Sequence, residues 1–524
     1  MATAATAKNR VSLMVRRFLL CFAWIAVVTG APATEAGEKV FVHALEGPPE
    51  SLDFAKTATE RANRVAWLMS DALLNVSKDG KRLEPGLAES WTLSQDGLQA
   101  VLRLRAGVTF HDGTALDARA VKDSLERQFR PGHPLYSADP KNAKEQLLRD
   151  LIDSIEVQNE LTLGLKLKHS GLHYLSQVEV ASPTALAKLG KEFERAPAYT
   201  GPFKFESASK EQIVLAANDK YWAGRPKIDR VVFRLIPDSK TVVEALLSGE
   251  LDFTPSLADP TLFERIRATP QVKLAPVPGL NVFYLGFYTE RPPLNNPALR
   301  RAVAQAVNIQ RATQFLGRGA AVAAKGPLPP EMRNFDPAAS QPPYDPQAAR
   351  EQLGKAGYGA GVTLRLVHNS ALTFVAEMAG AIQNDLNRVG IKVELIGKPS
   401  YPELVKAVRA REGDMFLYSW HVRAPQPERI LVPLFHSRSI DTSNLTHYRN
   451  QNLDRMLDEA LRLPEGPAEA RLYSQIQKLI VDEAPMAFLY HAVRMAAYSE
   501  RVQGLELDIA TLPHDKLVRV DISQ

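Results

Sequence analysis

Three apolar segments, "LRLVHNS" (residues 364–370), "IKVELIG" (391–397) and "DMFLYSW" (414–420), decide the fold class of this chain. Each has the length and the apolar content of a β-strand. Two helical segments separate them: residues 372–389 carry an apolar stripe that ends at a glycine, and residues 401–412 form the second helix. The order strand, helix, strand, helix, strand within about 60 residues predicts a parallel or mostly parallel α/β sheet.

The carboxyl ends of these strands are the expected binding edge, because the ligands of α/β sheets gather there. Polar, aromatic and basic side chains lie at the ends of the first and third strands. The candidate ligand-binding residues from these ends are His368, Asn369, Tyr418, Trp420, His421 and Arg423. An alternative remains open, in which Tyr418 and Trp420 share one face of their strand and are core residues.

The rest of the chain also has a mixed α/β pattern. Near Pro276, an aromatic strand and a proline-rich turn lead into a helix with Asn296 as N-cap and Pro297 at the first helical position. A second lobe therefore begins there. Before it, "KVFVHAL" (39–45) and "LQAVLRLRAGVTF" (98–110) have strand character and belong to one N-terminal lobe.

The first 33 residues predict a cleaved export signal. A basic segment ends at residues 16–17, a short apolar run follows, and residues 31–33 form a small-residue cleavage site. An uncleaved membrane anchor is the alternative. The only cysteine, Cys21, lies within the apolar run, so a chain cleaved after Ala33 has no thiol. Both observations favour an exported, periplasmic protein.

The bulk composition excludes several classes of protein. The 524 residues are 45% hydrophobic and 23% charged, which is ordinary for a globular protein of more than one domain. The formal charge of +5 comes mostly from the leader, since cleavage removes four basic residues and leaves 60 basic against 59 acidic residues. A nearly neutral protein lacks the positive charge that supports nucleic-acid binding.

Motifs of catalysis are missing from the sequence. It has no phosphate-binding loop, no dinucleotide-binding glycine motif, no nucleophile elbow and no H-E-x-x-H pair. His169 and His173 are four residues apart, as two metal ligands on one helix face would be, but Gly171 between them weakens such a helix. We therefore expect a binding protein without a cofactor or a metal, and not an enzyme.

Seven segments, in order along the chain, carry a resemblance to one family. They are "LEPGLAESWTLSQDGLQAVLRLRAGVTFHDGTALDARAVKDSLER" (83–127), "YTGPFKFES" (199–207), "NDKYWAGRPKIDRVVFRLIPD" (218–238), "VVEALLSGELDF" (242–253), "NNPALRRAVAQAVN" (295–308), "IQNDLNRVGIKVEL" (382–395) and "DEAPMAFLYH" (482–491). Together they resemble the extracytoplasmic solute-binding proteins of the peptide and nickel ABC-transporter family, which is solute-binding family 5 with its dipeptide- and oligopeptide-binding members.

The resemblance implies an α/β, two-lobed periplasmic-binding-protein fold with mixed sheets, in which hinge strands join two lobes that close on a ligand. It implies a signal peptide at 1–33, an N-terminal lobe at 38–278 that is completed by about 499–524, and a C-terminal lobe at 279–498. The expected partners are a small-molecule or peptide ligand and the permease and ATPase subunits of an ABC importer. We expect a monomer that reaches the membrane only through the permease.

Two positions depart from the pattern of dipeptide binders in this family. Those proteins follow the tryptophan of the third strand with an aspartate that pairs with the α-ammonium of the peptide, and alignment on Trp420 places Arg423 there. They also place an arginine for the terminal carboxylate at the tip of the first strand, where this chain offers His368, Asn369 or Ser370. An α-ammonium beside Arg423 is unfavourable, so the usual dipeptide geometry is not expected.

Other ligands fit these departures. An oligopeptide held through its backbone needs few side-chain anchors, and an anionic solute suits Arg423 with His421 as a second donor. Glu46, which directly follows the first strand of the chain, is a further candidate ligand-binding residue. We therefore expect a peptide or peptide-like solute with at least one carboxylate, and keep as alternatives a non-peptide anion, a metal chelate, or a ligand sensor on the same fold.

The sequence predicts that Arg423→Ala weakens the binding of a carboxylate-bearing solute about tenfold or more, because a charge-assisted hydrogen bond is lost. Isothermal titration of the purified chain with the bound solute would measure this change. Unchanged affinity would contradict the assignment of Arg423 to the site.

Overall fold

The structure is a computed structural model that describes residues 37–523, apart from residues 58, 137–142, 258–261, 315, 317–318, 423–424 and 509–511. The predicted leader and the candidate Arg423 therefore lie outside the described residues. The chain from Lys39 onward forms one compact unit. In this described part, no helix combines the length and the apolar character that crossing a membrane requires.

Helices and strands alternate along most of the chain. The helices are α1 Glu60–Met69, α2 Ala118–Phe129, α3 Ala143–Leu151, α4 Pro183–Leu189, α5 Ser239–Leu247, α6 Phe263–Arg267, α7 Pro297–Ala306, α8 Ile309–Gln314, α9 Pro346–Lys355, α10 Thr373–Arg388, α11 Tyr401–Arg409, α12 Glu428–Phe435, α13 Gln451–Ala460 and α14 Pro467–Glu483. Short 3-10 helices span Leu172–Gln177, Gly190–Glu194 and Ser437–Ser439.

The strands are β1 Val40–Leu45, β2 Leu74–Val76, β3 Leu83–Pro85, β4 Ala88–Leu93, β5 Gln99–Leu104, β6 Ile152–Asn159, β7 Thr162–Leu167, β8 Phe203–Ala208, β9 Gln212–Ala217, β10 Arg230–Leu235, β11 Phe253–Thr254, β12 Val272–Pro278, β13 Asn281–Phe287, β14 Ala321–Ala323, β15 Val362–Asn369, β16 Ile391–Lys398, β17 Met415–His421, β18 Met486–Ser499, β19 Val502–Gln503 and β20 Asp521–Ile522. Sequence patterns and structure agree well for the segments that were predicted, because capping and apolar spacing are local signals.

The start of α7 illustrates this agreement. The side chain of Asn296 accepts a hydrogen bond from the backbone N–H of Ala298 at 2.9 Å, and Pro297 occupies the first turn, where its missing N–H costs nothing. The predicted N-cap is therefore confirmed. Helix α10 ends at Arg388, and Gly390 follows with a φ of +95°, a conformation that glycine adopts without strain.

Twelve of the described strands form one mixed sheet, whose main order is β16-β15-β17-β13-β18-β11-β1-β10-β9-β8. The strands predicted at residues 364–370, 391–397 and 414–420 are β15, β16 and β17. Strand β15 pairs in parallel with both β16 and β17, as predicted. Strand β13 then runs antiparallel to β17 and to β18. The sheet is therefore mixed, and the predicted mixed α/β class is confirmed.

Strand β18 lies in the middle of this sheet and pairs with strands on both sides. Its residues 486–490 pair with β13, and its residues 493–499 pair with β12. The first part packs into apolar clusters with residues 280–480, whereas Met495 and Ala497 pack with Val243 and other residues of the N-terminal lobe. One continuous strand thus joins the two lobes, next to the β12–β13 connection.

A second, four-stranded sheet has the order β4-β5-β7-β6 and its own apolar core. This core is built from residues between Leu73 and Val180, and it is separate from the core around β1, α1 and β10. We call residues 73–180 the four-stranded unit. From the sequence this region is predicted to be part of one continuous N-terminal lobe, because periodicity does not show which strands share a sheet.

A buried carboxylate ties the last residues of the chain to the N-terminal lobe. Asp71 is 2% exposed and accepts hydrogen bonds from Lys516 Nζ at 2.6 Å and from the side chains of Thr200, Tyr221 and Trp222 at 3.0–3.1 Å. Burial alone would raise the pKa of Asp71, but Lys516 and the other donors lower it below its usual value. The Asp71 carboxylate is therefore charged and paired.

We expect Asp71→Asn to lower the free energy of unfolding by about 3 kcal/mol, because the isosteric change leaves the Lys516 ammonium buried without its countercharge. Urea unfolding followed by circular dichroism at pH 7 would measure the change. The matched control is Asp482→Asn, which removes an exposed ion pair with Lys478 and should cost less than about 0.5 kcal/mol.

The pH dependence gives a second check on Asp71. Since its folded pKa is lowered, the ion pair stabilises the protein above a pH of about 4, near the unfolded pKa, and this stability is lost as the pH falls through the folded value. The difference in stability between wild type and Asp71→Asn should therefore shrink on acidification. A difference independent of pH would contradict the ionic description.

Candidate ligand-binding site

The end of β17 presents different side chains to its two faces. Tyr418 and Trp420 point to one face, where their cross-strand neighbours Tyr284 and Val282 belong to an apolar cluster. His421 points to the opposite face and is solvent-accessible. The rings of Tyr418 and Trp420 pack against that cluster but are only partly buried. A core role and a ligand-binding role are therefore compatible for both residues.

Trp420 is held by the first turn of α12. Its indole Nε1 donates a hydrogen bond to the backbone carbonyl of Arg429 at 2.8 Å. A buried indole N–H needs such a partner, and this bond fixes the orientation of the ring. The position of Trp420 therefore depends on the position of α12.

Tyr418 forms a pair with Tyr401 at the start of α11. The two hydroxyl groups are 2.9 Å apart and the ring centroids are 6.1 Å apart in a stacked arrangement. Burial raises the pKa of Tyr418, so its hydroxyl stays protonated at neutral pH. Tyr401 is 58% exposed, and the pair presents an aromatic surface to solvent at the carboxyl end of β17.

His368 and Asn369 are more deeply buried than the β17 candidates, with exposures of 5% and 6%. The side-chain oxygen of Asn369 accepts a hydrogen bond from the backbone N–H of Ala371 at 2.9 Å and shapes the turn before α10. Burial lowers the pKa of His368, so the ring is neutral. Between described residues, no hydrogen bond or ion pair joins these two side chains to Trp420 or His421.

Glu46 lies in the N-terminal lobe, directly after β1. A single nitrogen of Arg64, Nη1, donates to both of its carboxylate oxygens at 2.5 and 2.6 Å. The Arg64 side chain is only 3% exposed, whereas that of Glu46 is 50% exposed. A buried guanidinium therefore holds the Glu46 carboxylate at the surface, where a ligand can reach it.

The line of charges continues from Arg64 to Glu60 and then to Arg494. Arg64 Nη2 lies 3.7 Å from Glu60 Oε1, and Arg494 Nη1 donates to the same oxygen at 2.8 Å. Glu60 is on the first turn of α1, where the helix dipole favours a negative charge. We call Glu46, Arg64, Glu60 and Arg494 the charge chain; it reaches from β1 to the lobe-joining strand β18.

His421, at the end of β17, lies within electrostatic reach of two members of the charge chain, Arg494 and Glu60. Neighbouring protein atoms lower the pKa of His421 by desolvation, Arg494 lowers it further, and Glu60 raises it. The ring is thus recessed although part of it meets solvent, and it is neutral at pH 7. Ser419 Oγ lies 3.0 Å from His421 Nε2. Two of the sequence candidates, Glu46 and His421, thus belong to one polar surface, Glu46 through its contact with Arg64 and His421 through the charges of Arg494 and Glu60.

Sequence reasoning missed Arg64, Glu60 and Arg494. The i, i+4 spacing of Glu60 and Arg64 is visible in the sequence, but such a pair is typical of any solvated helix face. Nothing local marks Arg494, because its neighbours come from residues more than 400 positions away. Pairing across the sheet, and not a motif, creates the charge chain.

The polar surface offers both signs of charge to a solute. Glu46 and Glu60 supply partly exposed carboxylates, and Arg494 supplies a partly exposed guanidinium. Carboxylates bind ammonium groups and guanidinium binds carboxylates, so a zwitterionic solute would find partners for both ends. Over the described ranges, no group of three or more His, Cys, Asp or Glu side chains is placed to hold a metal ion.

Known proteins share both the sequence pattern and the fold. Heme-binding protein A of Haemophilus influenzae is 30% identical over 460 residues, which cover 82% of this chain and 83% of that protein. Di/tripeptide-binding protein 2 of Pseudomonas aeruginosa is 28% identical over 541 aligned positions, which cover 98% of this chain and all of that protein. The solved structure of HbpA2 from Haemophilus parasuis superposes with a TM-score of 0.84 at 23% identity, and covers 93% of this chain and 100% of that one.

The superposition confirms the predicted two-lobed fold of periplasmic binding proteins. The sequence pattern described as "bacterial extracellular solute-binding proteins, family 5 Middle" matches residues 82–442, well over half of the chain. The charged surface next to the lobe-joining strand, the fold and this match lead to one conclusion: the chain belongs to the bacterial extracellular solute-binding proteins of family 5.

Proposed function

We propose that this protein is the periplasmic solute-binding component of an ABC importer, and that it carries a peptide or peptide-like solute to a membrane permease. Membership in a family of solute-binding proteins supports this proposal, as do similar proteins named for peptides, haem and glutathione. In this proposal the protein has no enzymatic activity of its own, acts as a monomer, and works with permease and ATPase subunits.

The observation that carries the proposal is the charge chain at the lobe-joining strand. A peptide with free ends would place its α-ammonium at Glu46 and Glu60 and its carboxylate at Arg494, with neutral His421 as an additional hydrogen-bond donor or acceptor. The two glutamates then supply the negative charge that dipeptide binders take from the aspartate aligned with Arg423. Arg423 is proposed as a second partner for carboxylates, and this proposal rests only on its position after Trp420 in the sequence.

Closure of the lobes would couple binding to delivery. A solute that contacts the N-terminal lobe through Glu46 and the C-terminal lobe through His421 and Trp420 stabilises the state in which both contacts exist. The hinge would consist of the β12–β13 connection and strand β18. We keep the proposed lobes, 38–278 completed by about 499–524, and 279–498, with β18 shared between their cores.

A second candidate function is the carriage of a flat anionic solute such as a haem. The exposed Tyr401–Tyr418 pair favours it, because stacked tyrosines with a solvent-facing ring match a planar aromatic ligand. Heme-binding protein A is among the similar proteins. The carboxylates of a haem would again require Arg494 or Arg423.

Native followed by denaturing mass spectrometry of protein from the periplasm would test the proposed cargo first. We expect a series of peptide masses released from the protein. A single haem mass would support the second candidate, and a single acidic non-peptide mass would contradict the peptide proposal while it leaves the family unchanged.

The charge chain makes a sharper prediction with trialanine as the probe. Arg494→Gln should weaken the binding of free trialanine about tenfold and leave the binding of its C-terminal amide almost unchanged, because the variant removes the partner of the carboxylate. Glu60→Gln should show the opposite selectivity, with a loss for the free peptide and none for N-acetyl-trialanine. Isothermal titration calorimetry gives all of these affinities.

The matched control is Arg230→Gln, which breaks an exposed Arg–Glu pair with Glu206 on the sheet edge away from the charge chain. Its affinities should equal those of wild type. Equal losses for the free and blocked peptides in Arg494→Gln would mean that Arg494 acts on the fold and not on the carboxylate.

A further inference from the structure

The two lobes also meet at a place away from the charge chain. The 3-10 segment Leu172–Gln177 of the four-stranded unit packs against the first turn of α12. His173, Tyr174 and Glu428 are 8%, 7% and 8% exposed, so these polar side chains are almost completely covered. Buried polar groups from two separate parts of a chain are expensive unless they are paired, and here Tyr174 and His173 both face the Glu428 carboxylate.

The contact has a defined geometry. Tyr174 Oη donates a hydrogen bond to Glu428 Oε1 at 2.9 Å, and His173 Nε2 lies 3.4 Å from the same oxygen. The guanidinium carbon of Arg429 lies 4.6 Å from the centroid of the Tyr174 ring. Tyr174 therefore contacts two successive residues of α12, one through its hydroxyl group and one through its ring.

Electrostatics favour an intact contact. Burial alone would raise the pKa of Glu428, but His173 and then Arg333 outweigh it and lower the pKa to about 2, so the carboxylate is charged. Two buried nitrogens of Arg429, Nε and Nη2, have no hydrogen-bond partner among the described residues. The face of the Tyr174 ring is thus a main attractive contact for this guanidinium. Separation of the two surfaces would take His173 and Tyr174 away from the Glu428 carboxylate and the Tyr174 ring away from the Arg429 guanidinium.

The same turn of α12 holds the candidate ligand residue Trp420. The carbonyl oxygen of Arg429 accepts the indole hydrogen bond at 2.8 Å while the Arg429 side chain lies on Tyr174. Three groups, the Trp420 ring, the Arg429 residue and the Tyr174 ring, are therefore connected in series. Trp420 packs on the core of the C-terminal lobe, and Tyr174 belongs to the core of the four-stranded unit.

We propose that Tyr174 and Glu428 are positioning residues, which fasten the four-stranded unit to α12 and thereby set the orientation of Trp420. The inference rests on the proposed function only in so far as Trp420 lines the solute site. The contact itself is made by protein side chains alone. We call Tyr174 with Glu428 and Arg429 the clasp, which preorganises one wall of the site.

The first test reads the orientation of Trp420 directly, without a solute. A chain that starts at Thr34 has four tryptophans, Trp67, Trp91, Trp222 and Trp420, and incorporation of 5-fluorotryptophan gives one ¹⁹F resonance for each. The Trp420 resonance is assigned by its loss in Trp420→Phe. Tyr174→Phe keeps the ring under Arg429 but removes the hydroxyl donor to Glu428, and we expect it to shift or broaden the Trp420 resonance.

The matched control is Tyr136→Phe. Tyr136 also donates from its hydroxyl to a glutamate, Glu145, at 2.9 Å, but both residues belong to the four-stranded unit. The same chemical change therefore occurs without a contact to α12. The Trp420 resonance should stay where it is in this variant, and a shift equal to that of Tyr174→Phe would contradict the proposal.

The second test measures the separation of the two parts. The chain from Thr34 onward has no cysteine, so spin labels at introduced cysteines, Glu160→Cys and Glu459→Cys, report one distance distribution by electron resonance. Tyr174→Phe should lower the ratio of short to long distances by about five- to tenfold, because one charge-assisted hydrogen bond is lost. Glu428→Gln should lower it because the negative charge that Tyr174 and His173 face is removed. The double variant should lose less than the sum of the two single changes, because the Tyr174–Glu428 contact is common to both.

Each outcome of these tests is decisive. Unchanged distances in both single variants would overturn the clasp, and changed distances with an unmoved Trp420 resonance would overturn its coupling to the site. Failure of the proposed function would look different, because solute binding would be absent from wild type while the distance and ¹⁹F measurements stay as expected.

Discussion

The structure depends on one constraint, the passage of a single strand through both lobes. Residues 486–490 of β18 complete the sheet of the C-terminal lobe, and residues 493–499 complete that of the N-terminal lobe. Backbone hydrogen bonds hold the strand on both sides of the junction. It can therefore twist or bend only near residues 490–493, where one pairing ends and the other begins. Arg494 lies just past that junction, so its guanidinium reaches Glu60 from a strand that pairs with both lobes.

The charge chain and the clasp differ in how much of their charge is exposed to solvent. In the charge chain, buried Arg64 holds the partly exposed carboxylates of Glu46 and Glu60, which water reaches while the guanidinium stays paired. At the clasp, the carboxylate of Glu428 is buried and its partners come from the other lobe. The first arrangement suits reversible recognition, and the second suits a contact between protein surfaces, because an unpaired buried charge is far more costly than an exposed one.

Local patterns in the sequence predict the fold better than they predict the site. The strands β15, β16 and β17 and the cap at Asn296 follow from spacing and capping chemistry, which act within a few residues. The antiparallel place of β13 and the separate core of residues 73–180 depend on which strands pair, which no periodicity specifies. The site follows the same rule: Trp420 and His421 are visible at a strand end, whereas Arg494 acquires its role only through Glu60, more than 400 residues earlier.

The buried pair of Asp71 and Lys516 also has a consequence for the order of folding. Synthesis delivers the carboxylate early and its ammonium partner among the last nine residues of the 524. The N-terminal lobe therefore cannot reach its final state while the chain is still growing, since Asp71 would be buried without its countercharge. A chain that lacks the segment around Lys516 would therefore be destabilised first in the N-terminal lobe, about 445 residues away along the sequence.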